Sequence, residues 1–460
     1  MPQTDFAHYP APPGVEPSPD FAVTVNGESV FVYPTAARVG SVASVWAGGA
    51  VEVAVRPAFA FERVVVRPRD RDIRPEVDAD GAVRFAVPPA TPDGPMLLSV
   101  EFDGRLRQPL FLFVNPSEEE EDSPDPDDPN VRFFGPGAVH EAGRVELTSG
   151  QTLYIAGGAV LRANVVARDA ENVAIRGRGI LDGNGHTWEM GRQERLVHLA
   201  GCRNVRVEGV TILNGRTWQV VPAGCDGVTI RGVKIVSSSA SDDGIDVVSS
   251  RNVTVDGCFV RTKDDCVAIK GVPDFHPRAE LPVEDVRVEN CVFWNGEWGN
   301  ALEIGYETRV DAIRRVTFHN CDILRCEAER FGSGGALTIH NGDRAVVSDV
   351  LYEDIRIEDC REKLIDFKIC FDRYSRDAER GQIRGVTLRD VRVVDGPPPV
   401  SILQGFDGDH LPQDILLEDV AILGQAVRSA AAARLVTEKV GPDVRFRSEG
   451  VTFPLKPPDA

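Results

Sequence analysis

One seven-residue phrase recurs eight times between residues 204 and 420, and that recurrence limits the chain to very few folds. It occupies residues 204–210, 227–233, 252–258, 285–291, 315–321, 354–360, 385–391 and 414–420. In each, apolar residues stand two apart, as Val205 and Val207 or Val286 and Val288 do, which is the period of a half-buried strand. A turn signal follows. The phrases lie 23 to 39 residues apart, so each coil is expected to carry a loop of its own length. Short strands at this interval, with little helical periodicity, point to an all-β solenoid, a right-handed parallel β-helix whose hand follows the crossover rule for parallel strands. A β-propeller would need blade-length repeats with antiparallel hairpin turns, and those are missing.

Two columns of the phrase have direct physical explanations. The sixth position is Gly209, Gly232, Gly257, Asn290, Asn320, Asp359, Asp390 and Asp419, the residue types that best tolerate a left-handed backbone, so a tight bend is expected in every coil. The seventh is Val210, Val233, Cys258, Cys291, Cys321, Cys360, Val391 and Val420, where Val and Cys exchange as small buried apolar groups. Four of the nine cysteines are thereby assigned to the core. The coils are expected to begin near Val131 and to run past Asp419.

Ahead of the repeat, short alternating strands at 21–25, 51–55, 63–67 and 97–101, with turn signals such as Asn26 with Gly27 and Asp80 with Gly81, predict a small β-sandwich over residues 1–116. Residues 117–129, a run of Glu, Asp, Ser and Pro, read as a solvated acidic linker, leaving 130–460 for the β-helix. The net charge is −20, from 51 Lys+Arg against 71 Asp+Glu, which disfavours nucleic acid or an anionic membrane as partner. It disfavours a polyanionic substrate more weakly. No apolar run approaches the length of a membrane span, and residues 1–20 lack a basic and an apolar leader region. An odd number of cysteines fits a reducing compartment, so a cytoplasmic location is expected. No CxxC pair or His/Cys cluster has metal-ligand spacing, so no metal or other cofactor is expected. A homo-oligomer stays open.

The chemistry concentrates in two acidic motifs one coil apart, Asp242 with Asp243 and Asp264 with Asp265. Aligned by the repeat, Asp242 falls under Asp264 and Asp243 under Asp265. Neighbouring rungs lie about 4.8 Å apart, so these carboxylates converge on one face. Neither pair has an obvious cation partner. Like charges that close drive their pKa values apart, giving one protonated and one ionised carboxyl, the pair that glycoside hydrolysis uses. An Asp turn ladder is the structural alternative. Along the strands that follow, Asp246, Glu303, Thr338 and Asp366 share one orientation, with Lys270, His340 and Lys368 near the strand ends. These groups are expected to line a groove that binds a carbohydrate. Trp218 in the Asp column, with Trp294, Trp298 and Tyr306 beside it, are candidate platforms for sugar rings.

At these residues the chain resembles the polygalacturonase-like clan of β-helix glycoside hydrolases, families 28 and 49. Residues 243–246 resemble the clan's first catalytic motif and 264–269 its second, while 130–137 and 149–158 resemble the entry to its β-helix. The resemblance implies inverting hydrolysis, with Asp264 as general acid and Asp243 and Asp265 holding and activating water. The departures also carry information. Ser241 stands where polygalacturonases have Asn, Gly299, Asn300 and Ala301 replace a Gly-His-Gly motif, and Asp366, Phe367 and Lys368 replace an Arg-Ile-Lys motif that grips galacturonate. An acid at 366 is expected to repel a uronate, and Asn300 without histidine is closer to family 49, which includes dextranase and isopullulanase. A neutral glycan, dextran or a related oligosaccharide, is therefore the expected substrate. A polygalacturonase-type pectin hydrolase and a β-helix lyase or epimerase are the alternatives.

Overall fold

The repeated phrase becomes a ladder. In the computed structural model, which describes residues 6–90, 94–117, 123–184, 195–327, 334–361, 363–441 and 443–448, strand Arg203–Glu208 pairs in parallel with Asp226–Arg231, which pairs with Arg251–Asp256 and then Val283–Glu289. Ala312–Cys326, Val346–Ile357, Gln382–Val393 and Pro412–Glu418 continue the stack. The register places Val205, Val228, Val253, Val286, Val316, Val350, Val386 and Ile415 in one column, and every member is buried. A slip of one residue would turn that column to solvent, so the apolar pattern fixes the register. Among the described residues the β-helix joins 30 strands, from Val131–Phe134 to Val444–Arg447.

The bends form where the sixth position predicts them. Gly209, Gly232, Gly257, Asn290, Asn320, Asp390 and Asp419 all have positive φ. Asp359 does not share that conformation; its carboxylate instead receives the Arg325 guanidinium at 2.6 Å. The first position of the phrase is left-handed as well, at Asn204, Asn252, Asp285, Asp354 and Asp414, and even at Arg315 with φ 55°. The strain at Arg315 is borne by ion pairs to Asp285 and Glu284 on the coil below, at 2.7 and 2.8 Å. The four column cysteines are buried and free, as their exchange with Val requires.

Residues 6–115 form two facing sheets, of six and five strands, around Val23, Val53, Phe85, Leu98, Phe102 and Leu112. Strand Leu110–Asn115 is buried along its whole length because it is apolar on both faces. Leu110, Leu112 and Val114 enter the sandwich core, while Phe111 and Phe113 pack with Phe259, Val292 and Trp294 of the β-helix. Charges rim this contact: Arg67 pairs with Glu101 at 3.3 Å and with Glu358, Arg71 reaches Asp322 at 3.2 Å, and Arg69 reaches Asp395 at 3.0 Å. The sandwich is therefore fused to the flank of the solenoid. Residues 118–122, within the acidic stretch, lie outside the described residues. Among the described residues, no helix is long and apolar enough to cross a membrane.

Replacing a fully buried Phe leaves a cavity that costs about 3–5 kcal/mol. Phe111→Ala is therefore expected to separate one cooperative melting transition into two, read by calorimetry, with the sandwich and the β-helix unfolding apart.

Candidate active site

Six strands of one face carry the candidate residues: Ile245–Val248, Val267–Gly271, Leu302–Thr308, Leu337–Asn341, Lys363–Ile369 and Val400–Gln404. Their register sets Asp246, Ala268, Glu303, Thr338, Asp366 and Ile402 side by side. Just before these strands the ladder continues through the acidic turns. The Gln219 amide donates to the Asp243 carbonyl at 2.9 Å, the Gly244 amide to the Asp265 carbonyl at 2.9 Å, and the Cys266 amide to the Asn300 carbonyl at 2.8 Å. The same column runs back to Trp218 and Arg195, since Val197 pairs with Val220 and Val220 with Ile245. Arg195, Trp218, Asp243, Asp265 and Asn300 thus occupy equivalent positions on successive coils.

Asp242 builds the turn that presents Asp264. Its carboxylate is wholly buried and accepts the Lys263 and Asp264 amides, both at 3.0 Å, with the Ser237 hydroxyl at 2.7 Å and the Ser239 amide at 2.9 Å. Burial pushes its carboxyl up to about 6 against these hydrogen bonds. Gly299, with φ 65°, closes the turn from the next coil. A Cβ there would stand 2.4 Å from the Asp265 amide and 2.6 Å from Asp264 Oδ1. Asn300 donates to Asp265 Oδ1 from its backbone at 2.7 Å and its side chain at 3.0 Å. Asn300 is therefore a positioning residue, its side chain committed to the protein.

The acidic pairs have a cation after all. Lys270 Nζ lies 2.7 Å from Asp243, 3.0 Å from Asp246 and 3.9 Å from Asp265, which corrects the expectation of unpaired carboxylates. Lys270 stands two residues after Ala268, the in-register neighbour of Asp246, and of the two readings open to it, a substrate contact or a partner of the acidic cluster, the structure has the second. Asp264 is the member of the cluster that keeps partial solvent access. Burial, then the Asp243 and Asp265 carboxylates, push its carboxyl up to about 9, with Lys270 opposing. Burial and Asp243 likewise raise Asp265 well above the usual carboxylate range.

Several expected groove residues lie beneath the surface. Glu303, His340 and Asp366 are fully buried. His340 Nδ1 is 3.0 Å from Glu303 and Nε2 is 3.2 Å from Asp366. Burial would depress this imidazole, but the flanking carboxylates outweigh it and raise it to about 9. Asp366 also takes Lys363 at 2.6 Å and Lys368 at 2.9 Å. Burial opposes ionisation there, yet His340 and the two lysines hold its carboxyl below the usual range. The expected repulsion of a uronate by Asp366 therefore has no basis, because that charge is enclosed and overcompensated. Asp246 is fully buried too and Lys270 nearly so, so neither can touch a ligand from these positions.

The aromatic candidates divide. Trp294 is buried in the sandwich contact against Phe111, and not in the groove. Trp218 is occupied by Lys270 Nζ at 3.8 Å, the Arg195 guanidinium at 4.2 Å and Phe275 at 5.6 Å from its ring, so it seats cations instead of a sugar. Trp298 stays 38% exposed beside the Asp264 turn, with Lys263 4.6 Å from its ring. Tyr306 is half-buried, stacked on His340 at 4.3 Å and facing Tyr374 at 5.8 Å. Arg195 and the Arg373–Tyr374 pair are additions to the expected set, and Asp242 and Gly299 prove to shape the turns. Arg195 shares the Asp column, a signal that extending the repeat two coils back would have exposed; the loop of Arg373 follows no repeat.

With the geometry in place, known proteins supply the lineage. The sequence pattern of the family described as "Glycosyl hydrolases family 28" matches residues 137–440. The chain belongs to glycosyl hydrolases family 28. A probable polygalacturonase of Arabidopsis thaliana is 26% identical over 260 residues, covering 50% of this chain and 55% of that relative. A polygalacturonase of Chamaecyparis obtusa is 29% identical over 236 residues, covering 47% and 43%. The chain spans about half the length of these curated relatives. Among solved structures, Dex49A from Penicillium minioluteum superposes with TM-score 0.66 at 15% identity, over 95% of this chain and 96% of that one. The polygalacturonase from Erwinia carotovora ssp. carotovora reaches TM-score 0.52 at 21% identity, over 67% and 86%. At such identities both matches show the fold alone. The expected likeness to the clan holds, with family 28 in the sequence and a Dex49A-like backbone that takes in the sandwich.

Asp242→Ala would leave one buried donor, the Ser237 hydroxyl, and three partly buried amides without an acceptor, at up to about 1–3 kcal/mol for the buried one and less for the others. The expected result is a melting midpoint lowered by several degrees together with loss of the Asp264 turn, read by amide exchange at Lys263 and Asp264.

Proposed function

We propose that this member of family 28 is an inverting glycoside hydrolase in which Asp264 is the general acid and Asp243 and Asp265 hold the attacking water. The observation that carries this is the partly exposed Asp264 carboxyl, kept protonated at neutral pH beside an ion-paired Asp243. Asp264 gives its proton to the glycosidic oxygen as the C–O bond breaks. Water attacks the anomeric carbon from the opposite side and passes a proton to the carboxylate opposite the acid. One water is consumed, two hydroxyl-bearing ends result, and exchange with solvent returns the proton to Asp264.

For the substrate we propose an anionic, galacturonide-type glycan in place of the neutral glucan expected from sequence. The removal of Asp366 as a repelling charge supports this. So do the cations near the cluster: Arg195 over Trp218, Lys263 by Trp298, and Arg373, whose guanidinium the Asp264 charge favours. A net charge of −20 works against a polyanion only at long range, since screening reaches about 8 Å at physiological salt. The names of the relatives, polygalacturonases, agree with this choice.

Incubation with polygalacturonate, oligogalacturonides and dextran, followed by anomer-resolved NMR, tests both parts. The β-anomer appearing first from an α-linked galacturonide is the expected outcome. A retained anomer or an unsaturated, ultraviolet-absorbing product would overturn the mechanism, and cleavage of dextran alone would overturn the substrate.

Asp264→Asn is expected to lower kcat by at least ~10³-fold while the protein stays folded, since general acid catalysis accounts for roughly 10²–10⁴. Because the acid works only when protonated, wild-type activity should fall as pH rises through about 9. The same raised carboxyl stabilises the fold below its unfolded pKa and loses that contribution as pH rises toward its folded value. Asp264→Asn should therefore melt higher than wild type at pH 7–8, by roughly 1–3 °C, and not at pH 4.

A further inference from the structure

Lys270 lies inside the acidic cluster with no route to a ligand. It is 3% exposed, its ammonium is held between Asp243 and Asp246, and its remaining side faces the Trp218 ring. Asp246 is 0% exposed, and among the described residues neither of its carboxylate oxygens accepts a well-formed hydrogen bond, so the ammonium is its compensation. Burying an ion pair this way costs several kcal/mol in desolvation that an apolar pair would avoid. The adjacent coil has Ala268 at the position level with Asp246, which shows that the sheet accepts an apolar residue there. A fold kept only for stability has no use for this pair.

We propose that Lys270 and Asp246 form a buried positioning pair that aims Asp243 and keeps it ionised as the water-activating base, leaving the shared proton of the cluster on Asp264. The groups facing Asp243 are Lys270 and Asp246 on its own sheet, Asp264 and Asp265 on the turn of the next coil, and Arg195 with Trp218 from the preceding coils. Asp243 and Asp246 share one ammonium and satisfy it between them. Asp264 and Asp265 are left with like charges as neighbours, which favours their protonated forms. Asp246 holds the ammonium at 3.0 Å, closer than Asp265 at 3.9 Å. Without Lys270, Asp243 would face two buried carboxyls with no ammonium beside it, and it would take up the proton that the acid needs.

The proposal rests on the hydrolytic function above, so its test has an arm that does not depend on turnover. Wild type, Lys270→Met and Asp246→Asn are compared by pH–rate profile on the galacturonide cleaved by wild type. Lys270→Met is expected to lose at least ~100-fold in kcat with KM within about twofold, and to move the acidic limb up by at least about one pH unit, the shift one opposite charge produces. Asp246→Asn leaves the ammonium to Asp243 alone and should move that limb the other way. Melting against pH is the second arm. The gap between wild type and Lys270→Met should widen from pH 5 to 8, as the unpaired carboxyls resist ionisation, and Lys270→Met/Asp243→Asn should narrow it. A raised KM at unchanged kcat and limb would make Lys270 a substrate contact and overturn the proposal. A melting gap independent of pH, with an unmoved limb, would reduce it to packing and overturn it equally. If wild type cleaves no glycan, the hydrolytic function fails by that result, while the melting arm still decides the pair.

Discussion

Val205, Val228, Val253, Val286, Val316, Val350 and Val386 stand in one column because each coil's backbone pairs in register with the next. The same ladder, followed to another face, sets Arg195, Trp218, Asp243, Asp265 and Asn300 at equivalent heights on successive coils. Core and site are therefore two consequences of one set of hydrogen bonds. The strand period is two, so a register that buries the valines also decides which residues face outward. Nothing in the acidic cluster has to be placed independently, apart from the turns that Asp242 and Gly299 shape.

Two buried charge clusters occupy the same outer face, and their balance separates their roles. In one, Glu303 and Asp366 face His340, Lys363 and Lys368, with cations at least matching carboxylates and every carboxylate fully buried. It is a closed network, costly to break and without chemistry to offer. In the other, a single Lys270 ammonium lies 2.7 Å from Asp243, 3.0 Å from Asp246 and 3.9 Å from Asp265, and Asp264 beside them retains partial access to water. Excess negative charge in a low-dielectric setting cannot all ionise, so protons must be retained, and the accessible carboxyl is one that holds one.

Much of this was legible in the sequence because periodicity and backbone tolerance are local signals. Gly257 and Asn290 announce their bends, and Cys291 and Val391 announce their burial, without knowledge of any partner. The convergence of Asp243 with Asp265 needed only the repeat. What could not be read is depth. His340, Glu303 and Asp366 follow the outward alternation faithfully, yet they are fully buried, with Tyr306 of the adjacent coil stacked on His340, and no pattern within a strand records that cover. Trp294 failed for the same reason: its burial depends on Phe111, which lies in the sandwich. Lys270 was visible as a charge, but its choice between a ligand and Asp243 is made by a distance of 2.7 Å that only the folded chain defines.

The unequal intervals between coils have a consequence for how such a protein can change. Each coil's strands pair only with those of its neighbours, so an insertion in one loop is accommodated without disturbing the stack. The loop bearing Arg373 and Tyr374 lies between strands Lys363–Ile369 and Gln382–Val393, and Asp343 of the previous coil pins it by accepting the Arg376 and Asp377 amides at 2.6 and 2.9 Å. It can be lengthened, shortened or exchanged as a cassette while the rungs carrying Asp243 and Asp264 keep their alignment. The side chains of this loop and the carboxylates of the acidic cluster are thus positioned by separate parts of the scaffold, open to exchange loop by loop.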